Sequence, residues 1–326
     1  MYVQWGLGRV LLDRFRRTND AALLFEASDH FVAAQDLALE GDPAVLNTLF
    51  DQLQSSLGVG WFQLFCALHV PEQCTLEEAE AVFRSLAAKA QTSEEARCGL
   101  GVALKHLGRL DEAASELRKG LEFNPRHHES WFNLGVISLE REQWSDALEQ
   151  FQRAADLEPD DAASWVRLGM AAIELNLGDR ARSALSRARA LEPESPEPLL
   201  QLGVMAAREG RFDVALDFFE QVLKLDGSHG PAHLLRAKAL LQLRRMPEAA
   251  AEFLEASRWL QEPSSDPLRA RQTFEAFYNA GVLTLEHSPK DALPMLEAAL
   301  ERDPQGRISP DLRRQVEVLR NALAKQ

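Results

Sequence analysis

Histidines, cysteines and paired acids are the residues of this chain that could do chemistry, and their spacing argues against it. His229 and His233 stand four apart, as two metal ligands on one helix face would, but Gly230-Pro231 interrupts the run and no third ligand lies nearby in sequence. His127-His128 falls at a junction between helical segments, where solvated polar residues are expected, and the chain has no His-Glu-x-x-His. Cys66, Cys74 and Cys98 are odd in number and lack metal-type spacing, so they read as free thiols of a reducing compartment, the first two as buried fillers. Asp160-Asp161 could work as an acid–base pair but is better read as the start of a helix. Gly6-Leu7-Gly8 and Gly99-Leu100-Gly101 are too short to cradle phosphate. No catalytic residue, metal site or cofactor is therefore expected, and the chain is read as a non-enzyme.

A strict period supplies what the chemistry does not. Leu100-Gly101, Leu134-Gly135, Leu168-Gly169 and Leu202-Gly203 follow one another at 34 residues, and Ala113, Ala147, Ala181, Ala215 and Ala249 keep the same step. A fixed period of this length means one structural unit copied in tandem. In the stretch from Pro125 to Pro159, Trp131, Leu134, Gly135 and Ser138 share one helical face, and Ala147, Phe151 and Ala154 share another after a turn. Two amphipathic helices follow. Gly135 and Ala147 are small because the helices cross there, with Trp131 and Phe151 filling the space on either side. Gly108 and Gly210 sit between helices, where a left-handed residue is wanted.

Trp131, Leu134, Gly135, Ala147, Phe151 and Pro159 resemble the pattern of the tetratricopeptide repeat, with Ser138 in the tyrosine place. Trp165, Leu168, Gly169, Ala181, Ala188 and Pro193 carry it into the next unit, and Ala237, Ala249, Phe253 and Ala256, then Phe277, Gly281, Ala292, Leu296, Ala299 and Pro304, into weaker ones. Ala67, Ala79, Phe83 and Leu86 mark a degenerate unit upstream. The resemblance implies an all-α, right-handed superhelical solenoid of helix-turn-helix repeats. Residues 60–306 are read as an array of six repeats, interrupted by extra residues within 262–273, of which 264–273 are taken as the insertion proper. Residues 1–59 are read as an N-terminal helical cap, with a helix pair at 29–56 that could be a degenerate repeat, and 307–326 as a C-terminal capping helix with a polar arginine face.

In this family the first helix of each pair lines a concave groove. At 100° per residue, Phe132, Val136 and Leu139 form a second apolar stripe beside the packed face, continued by Val166, Met170 and Ile173, by Leu200, Val204 and Ala207, and by Val282 and Leu285. Acids border it: Glu95, Glu129, Glu197 and Glu275 on one edge, Glu140, Glu174 and Glu286 on the other. An apolar strip with an acidic border suits an extended peptide or an amphipathic helix carrying Lys or Arg. Aliphatics that only pad neighbouring first helices are the competing explanation. Asn133 and Asn279 occupy matching places, where relatives use an asparagine to hydrogen-bond a peptide backbone, and Arg167 takes that place in between and could meet an acidic ligand group. The candidate partner-binding residues are thus Phe132, Asn133, Val136, Glu140, Val166, Arg167, Met170, Glu174, Leu200, Val204, Asn279 and Val282. The lysine–asparagine clamp that one branch uses for a chaperone's C-terminal carboxylate is absent: Cys98 and Val102, Phe132 and Val136, and Val166 and Met170 stand there instead.

Composition narrows the partner. The 326 residues carry a formal net charge of -14, while residues 1–20 are net +2 and residues 307–326 net +3. An acidic body repels phosphate backbones, so nucleic acid is not an expected ligand. No run of about 18 apolar residues spans a membrane and the start lacks the features of a signal peptide, so a cytoplasmic location is expected. Val3, Leu7, Val10 and Leu11 share a helical face among arginines. That segment reads as a cap, as a ligand for the groove of its own or a neighbouring copy, which would give self-association, or as a membrane-surface anchor; membrane contact is not the favoured reading. The expected function is a protein–protein scaffold or adaptor that binds a partner segment in its groove, serving assembly of a larger complex. Two alternatives stand beside it: a regulatory subunit that docks a folded enzyme domain on its convex face or insertion, and a scaffold that self-assembles through its N-terminal helix.

Overall fold

The computed structural model describes residues 60, 61, 64, 75–89, 93–260, 267–303 and 306–324. The expectations for residues 1–20 and 29–56, and for Cys66, Ala67 and Cys74, lie outside them. Among the described residues every regular element is a helix, and there are fourteen. The chain divides at Asp160 and Asp161 into two compact units. The first holds α1 (Leu76–Lys89), α2 (Glu94–His106), α3 (Leu110–Phe123), α4 (His128–Glu140) and α5 (Trp144–Leu157). The second holds α6 (Ala162–Glu174), α7 (Gly178–Leu191), α8 (Glu197–Arg208), α9 (Phe212–Leu225), α10 (Gly230–Gln242), α11 (Met246–Trp259), α12 (Pro267–Leu285), α13 (Pro289–Arg302) and α14 (Leu312–Leu323). Consecutive helices pair as hairpins: α2 with α3, α4 with α5, α6 with α7, α8 with α9, α10 with α11 and α12 with α13.

Four of the first helices start the same way. Ser93, His127, Asp161 and His229, spaced in multiples of 34 residues, precede α2, α4, α6 and α10 and accept the backbone N–H three residues on through their side chains. Such a cap satisfies one of the donors that a helix start leaves unpaired. Asp161 is thus a helix start, as its sequence context implies.

Five of the six hairpins also turn the same way. The second residue after the first helix is left-handed at Gly108, Glu142, Asn176, Gly210 and Arg244, with φ between 57° and 75°. The following N–H reaches back five residues, as Arg109 to Leu104 and Gln143 to Ser138, at 2.9 and 2.8 Å. This arrangement closes the C-terminal turn of the helix.

The core is a row of local contacts. Ala113, Ala147, Ala181, Ala215 and Ala249 are fully buried. A Cβ placed on Gly135 would lie 2.6 Å from the Phe151 ring, and one on Gly203 2.5 Å from Phe219. Glycine is present here because no room exists for more. At Gly210 a Cβ would meet nothing within 4 Å, so there the reason is φ alone.

Two expectations change at close range. Phe132, not Trp131, meets Phe151, edge-on at 5.6 Å. Trp131 turns toward the cluster of the preceding helices and donates from Nε1 to the Pro125 carbonyl at 2.9 Å. Gly135 admits the ring of Phe151 so deeply that its edge reaches the residue three positions earlier. Second, residues 267–273 of the expected insertion continue α12, which runs for 19 residues. The hydroxyl of Thr273 donates to the Leu260 carbonyl at 2.8 Å, securing the added turns to the end of α11.

The carboxylate of the buried Asp303 accepts the N–H groups of Arg307, Ile308 and Ser309 at 2.8–3.0 Å and so fixes the turn into α14. That last helix buries Leu312 and Val316 but leaves Val318 62% exposed. Beside it Leu285, Leu319 and Ala322 line an open cavity of about 540 Å³, so its outer surface is less polar than its arginines imply.

Candidate functional site

The stripe proposed from the sequence divides into two populations. Val166 and Leu200 are 7% exposed, and Ile173 5%. Leu200 joins a cluster with Leu199, Phe219 and Ala232. These residues pad the stack. Val136, Met170 and Val204, one helical turn further along the same helices, are half-buried, and Val282 is 38% exposed. In the first unit α4 contributes Phe132, Asn133, Val136 and Glu140, of which Phe132 is half-buried against Phe151 and Glu140 is exposed. In the second unit α6, α8, α10 and α12 are neighbours in that order and carry Met170, Val204, Lys238 and Val282 at equivalent positions. A shallow apolar row interrupted by one lysine results.

Polar groups around these rows are engaged within the fold. Asn133 donates from Nδ2 to the Glu129 carbonyl at 2.8 Å and accepts Lys105 Nζ at 3.2 Å. Asn279 repeats the first bond, to the Glu275 carbonyl at 2.8 Å. Both amides thus point their donor back at their own helix, and the oxygen of Asn133 is engaged by Lys105. Arg167 is exposed, its guanidinium 3.5 Å from the sulfur of Met170.

Half of the acidic border of the second unit, Glu174 and Glu275, is ion-paired. Glu174 pairs with Arg208, 34 residues on, at 2.9 Å. Glu275 pairs with Lys238 at 2.6 Å and with Arg271 at 3.4 Å. Glu197 accepts Gln201 Nε2 at 2.8 Å. Partly exposed pairs of this kind stabilise by about 0.2–1 kcal/mol each, but they decide what a ligand meets: dipoles and paired charges. Lys105 and Arg208 were not singled out in the sequence, although the 34-residue step from Glu174 to Arg208 was there to be read.

Other candidates resolve as structural. Cys98 is fully buried; burial, then the charge of Glu129, pushes its thiol well above the usual range, so it is no nucleophile. Burial holds the N-cap His127 below the ordinary histidine range. Among the described residues no three His, Cys, Asp or Glu side chains are placed to hold a metal, and no helix is long and apolar enough to cross a membrane.

Comparison with known proteins agrees with this geometry. Models of the tetratricopeptide repeat match residues 138–202 and 206–271, and residues 76–126 and 107–162. A comparison with curated proteins gave no match. The fold is similar to the crystal structure of the APC/C hetero-tetramer Cut9-Hcn1, with a TM-score of 0.58 and 17% identity over 93% of this chain and 58% of that one. It is similar to a tetratricopeptide repeat protein from Parabacteroides merdae, with a TM-score of 0.56 and 14% identity over 83% of this chain and 99% of that one. For pilF of Pseudomonas aeruginosa the TM-score is 0.54 and the identity 17%, over 65% of this chain and 93% of that one. Capped two-helix hairpins at a 34-residue step define a helical-repeat protein. The chain belongs to the tetratricopeptide repeat family, with that family's all-α solenoid fold, and its general function is that of a protein–protein interaction scaffold.

Proposed function

We propose that the chain captures a partner segment, an extended peptide or an amphipathic helix, along the inner faces of its first helices, in the service of assembling a larger complex. The observation that carries this reading is the accessible apolar pair of Met170 and Val204 on the neighbouring helices α6 and α8, with Val282 beyond Lys238 on α12, above a layer in which Val166 and Leu200 are already buried. Apolar surface left on an otherwise satisfied stack marks a docking face. Val136, on the equivalent position of α4, extends the same chemistry to the first unit, flanked by Glu140.

The segment that fits is apolar on one side, with small aliphatic anchors spaced for a shallow row. Basic residues on it find a carboxylate at Glu174, in competition with Arg208. The amide oxygen of Asn279, whose Nδ2 is held by its own helix, accepts a backbone or side-chain N–H of the segment. Arg167 accommodates an acidic group or the segment's C-terminus.

The test uses the intact chain as bait. Affinity capture read by mass spectrometry is compared for wild type, Met170→Glu and Val204→Glu, with far-ultraviolet circular dichroism on each. Loss of the same protein from both variants, with helicity unchanged, is the expected result. Full retention by both rejects these helices as the docking face.

A further inference from the structure

Counting in steps of 34 from Trp131 gives Trp165, Leu199 and His233. An imidazole stands where other hairpins carry an indole or an isobutyl group. The geometry is conserved in a telling way. Trp131 donates from Nε1 to the carbonyl six residues back, that of Pro125, at 2.9 Å. His233 lies by Nε2 3.2 Å from the carbonyl six residues back, that of Gly227. A carbonyl oxygen only accepts, so this nitrogen carries a proton, as the indole does. The other nitrogen, Nδ1, lies 2.8 Å from Oε2 of Glu252. The second oxygen of Glu252 accepts Arg236 at 2.7 Å. A carboxylate held by a guanidinium is ionised and only accepts. Nδ1 therefore carries a proton as well, and an imidazole with two N–H groups is a cation.

We infer that His233 is held as an imidazolium that clasps the Gly227 turn, at the entry to α10, to Glu252 on α11, so that a single proton ties this hairpin to the turn before it and is released as pH rises. The ring is buried, which by itself would favour the neutral form. The bonds to Glu252 and Gly227, with the charges of Glu252 and Glu255 on α11, outweigh burial and hold its pKa above the ordinary histidine value. Arg236, on its own helix, opposes it through charge but spends that charge on Glu252. On the turn, Asp226 is held below the usual carboxylate range by Ser228, with His229 and His233 adding to the effect.

The sign follows from linkage. A histidine whose folded pKa lies above its unfolded one stabilises the fold fully below about pH 6.5, and that stabilisation is lost as pH rises through the folded pKa. Beyond it, one ring nitrogen turns a lone pair toward an oxygen lone pair.

The experiment is a ¹⁵N imidazole titration of the full chain, with His233 assigned by its disappearance in His233→Trp. A pKa above about 6.5, and two protonated ring nitrogens at pH 6, are expected. In urea unfolding, the stability difference between wild type and His233→Trp, whose indole keeps the bond to Gly227 and cannot titrate, should fall between pH 6 and pH 9, by about tenfold in equilibrium constant per unit that the folded pKa is raised. Glu252→Gln should lower the His233 pKa. A His233 that titrates at or below about 6.5, or a wild-type-to-variant difference that is flat with pH, overturns the inference. If His233→Trp does not fold, the titration of the wild type, assigned through its response to Glu252→Gln, decides it.

Discussion

At the scale of single residues, glycine serves two unrelated purposes here, and opposite predictions follow. At Gly203 the backbone is helical and the Phe219 ring leaves 2.5 Å for a Cβ. Gly203→Ala gains about 1 kcal/mol of helix propensity and incurs overpacking strain of about 1–3 kcal/mol against a ring that cannot fold away. A net loss of stability is expected, read as a lower urea midpoint. At Glu142 and Arg244 the turn forces φ to 58° and 61° on residues with a Cβ. Glycine there removes a left-handed cost of roughly 1–2 kcal/mol and adds unfolded-state entropy of roughly 0.5–1 kcal/mol. Glu142→Gly and Arg244→Gly should each raise stability by about 0.5–1 kcal/mol, from the same two terms. A drop in midpoint for either would show that these side chains contribute more than their backbone strain removes.

At the scale of elements, what was legible was whatever repeats. The Leu-Gly and Ala series locate the hairpins because steric demand at each crossing allows only a few residue types. The left-handed turns were legible only where glycine marks them, at Gly108 and Gly210; Glu142, Asn176 and Arg244 adopt the same φ without a tell-tale side chain. Histidine caps were missed for a similar reason. His127 and His229 take the role that Ser93 and Asp161 play, and imidazole is an uncommon cap. The binding stripe was legible as a pattern but not as a surface, since a period places Val166 and Met170 near one another and packing alone decides that one is buried. The partners Lys105, Arg208 and Lys238 come from other helices and have no local signal.

The last helix is the element most dependent on one side chain. Asp303 gathers three backbone N–H groups of the turn before α14, and hydrogen bonds to a charged group contribute about 1.5–3 kcal/mol when made in buried surroundings. Asp303→Ala should release α14 before the rest of the second unit. Hydrogen exchange would show it as lost protection confined to 312–323, and unchanged protection there would assign the docking of α14 to Leu312 and Val316 instead.

At the scale of the whole molecule, an acidic chain exposes an apolar row, two of whose bordering acids, Glu174 and Glu275, are paired internally. Its attraction for a partner therefore rests more on buried apolar area than on long-range charge, and added salt should weaken capture less than the net charge of -14 suggests. Two of the titrating histidines act in opposite senses: the His127 cap is lost on the acid side, where its ring must gain a proton, and the His233 clasp on the basic side.

The left-handed turn has one more consequence. Because it recurs at Gly108, Glu142, Asn176, Gly210 and Arg244, each of these five hairpins closes its turn on its own backbone hydrogen bonds. The chain is built from interchangeable links, and its reach can grow or shrink by whole links. Tandem duplication of residues 162–195 should yield a monomeric, cooperatively unfolding chain with the same ellipticity per residue and room for a longer visitor. A gene that codes such links can lengthen its product by unequal crossing-over without inventing a new contact.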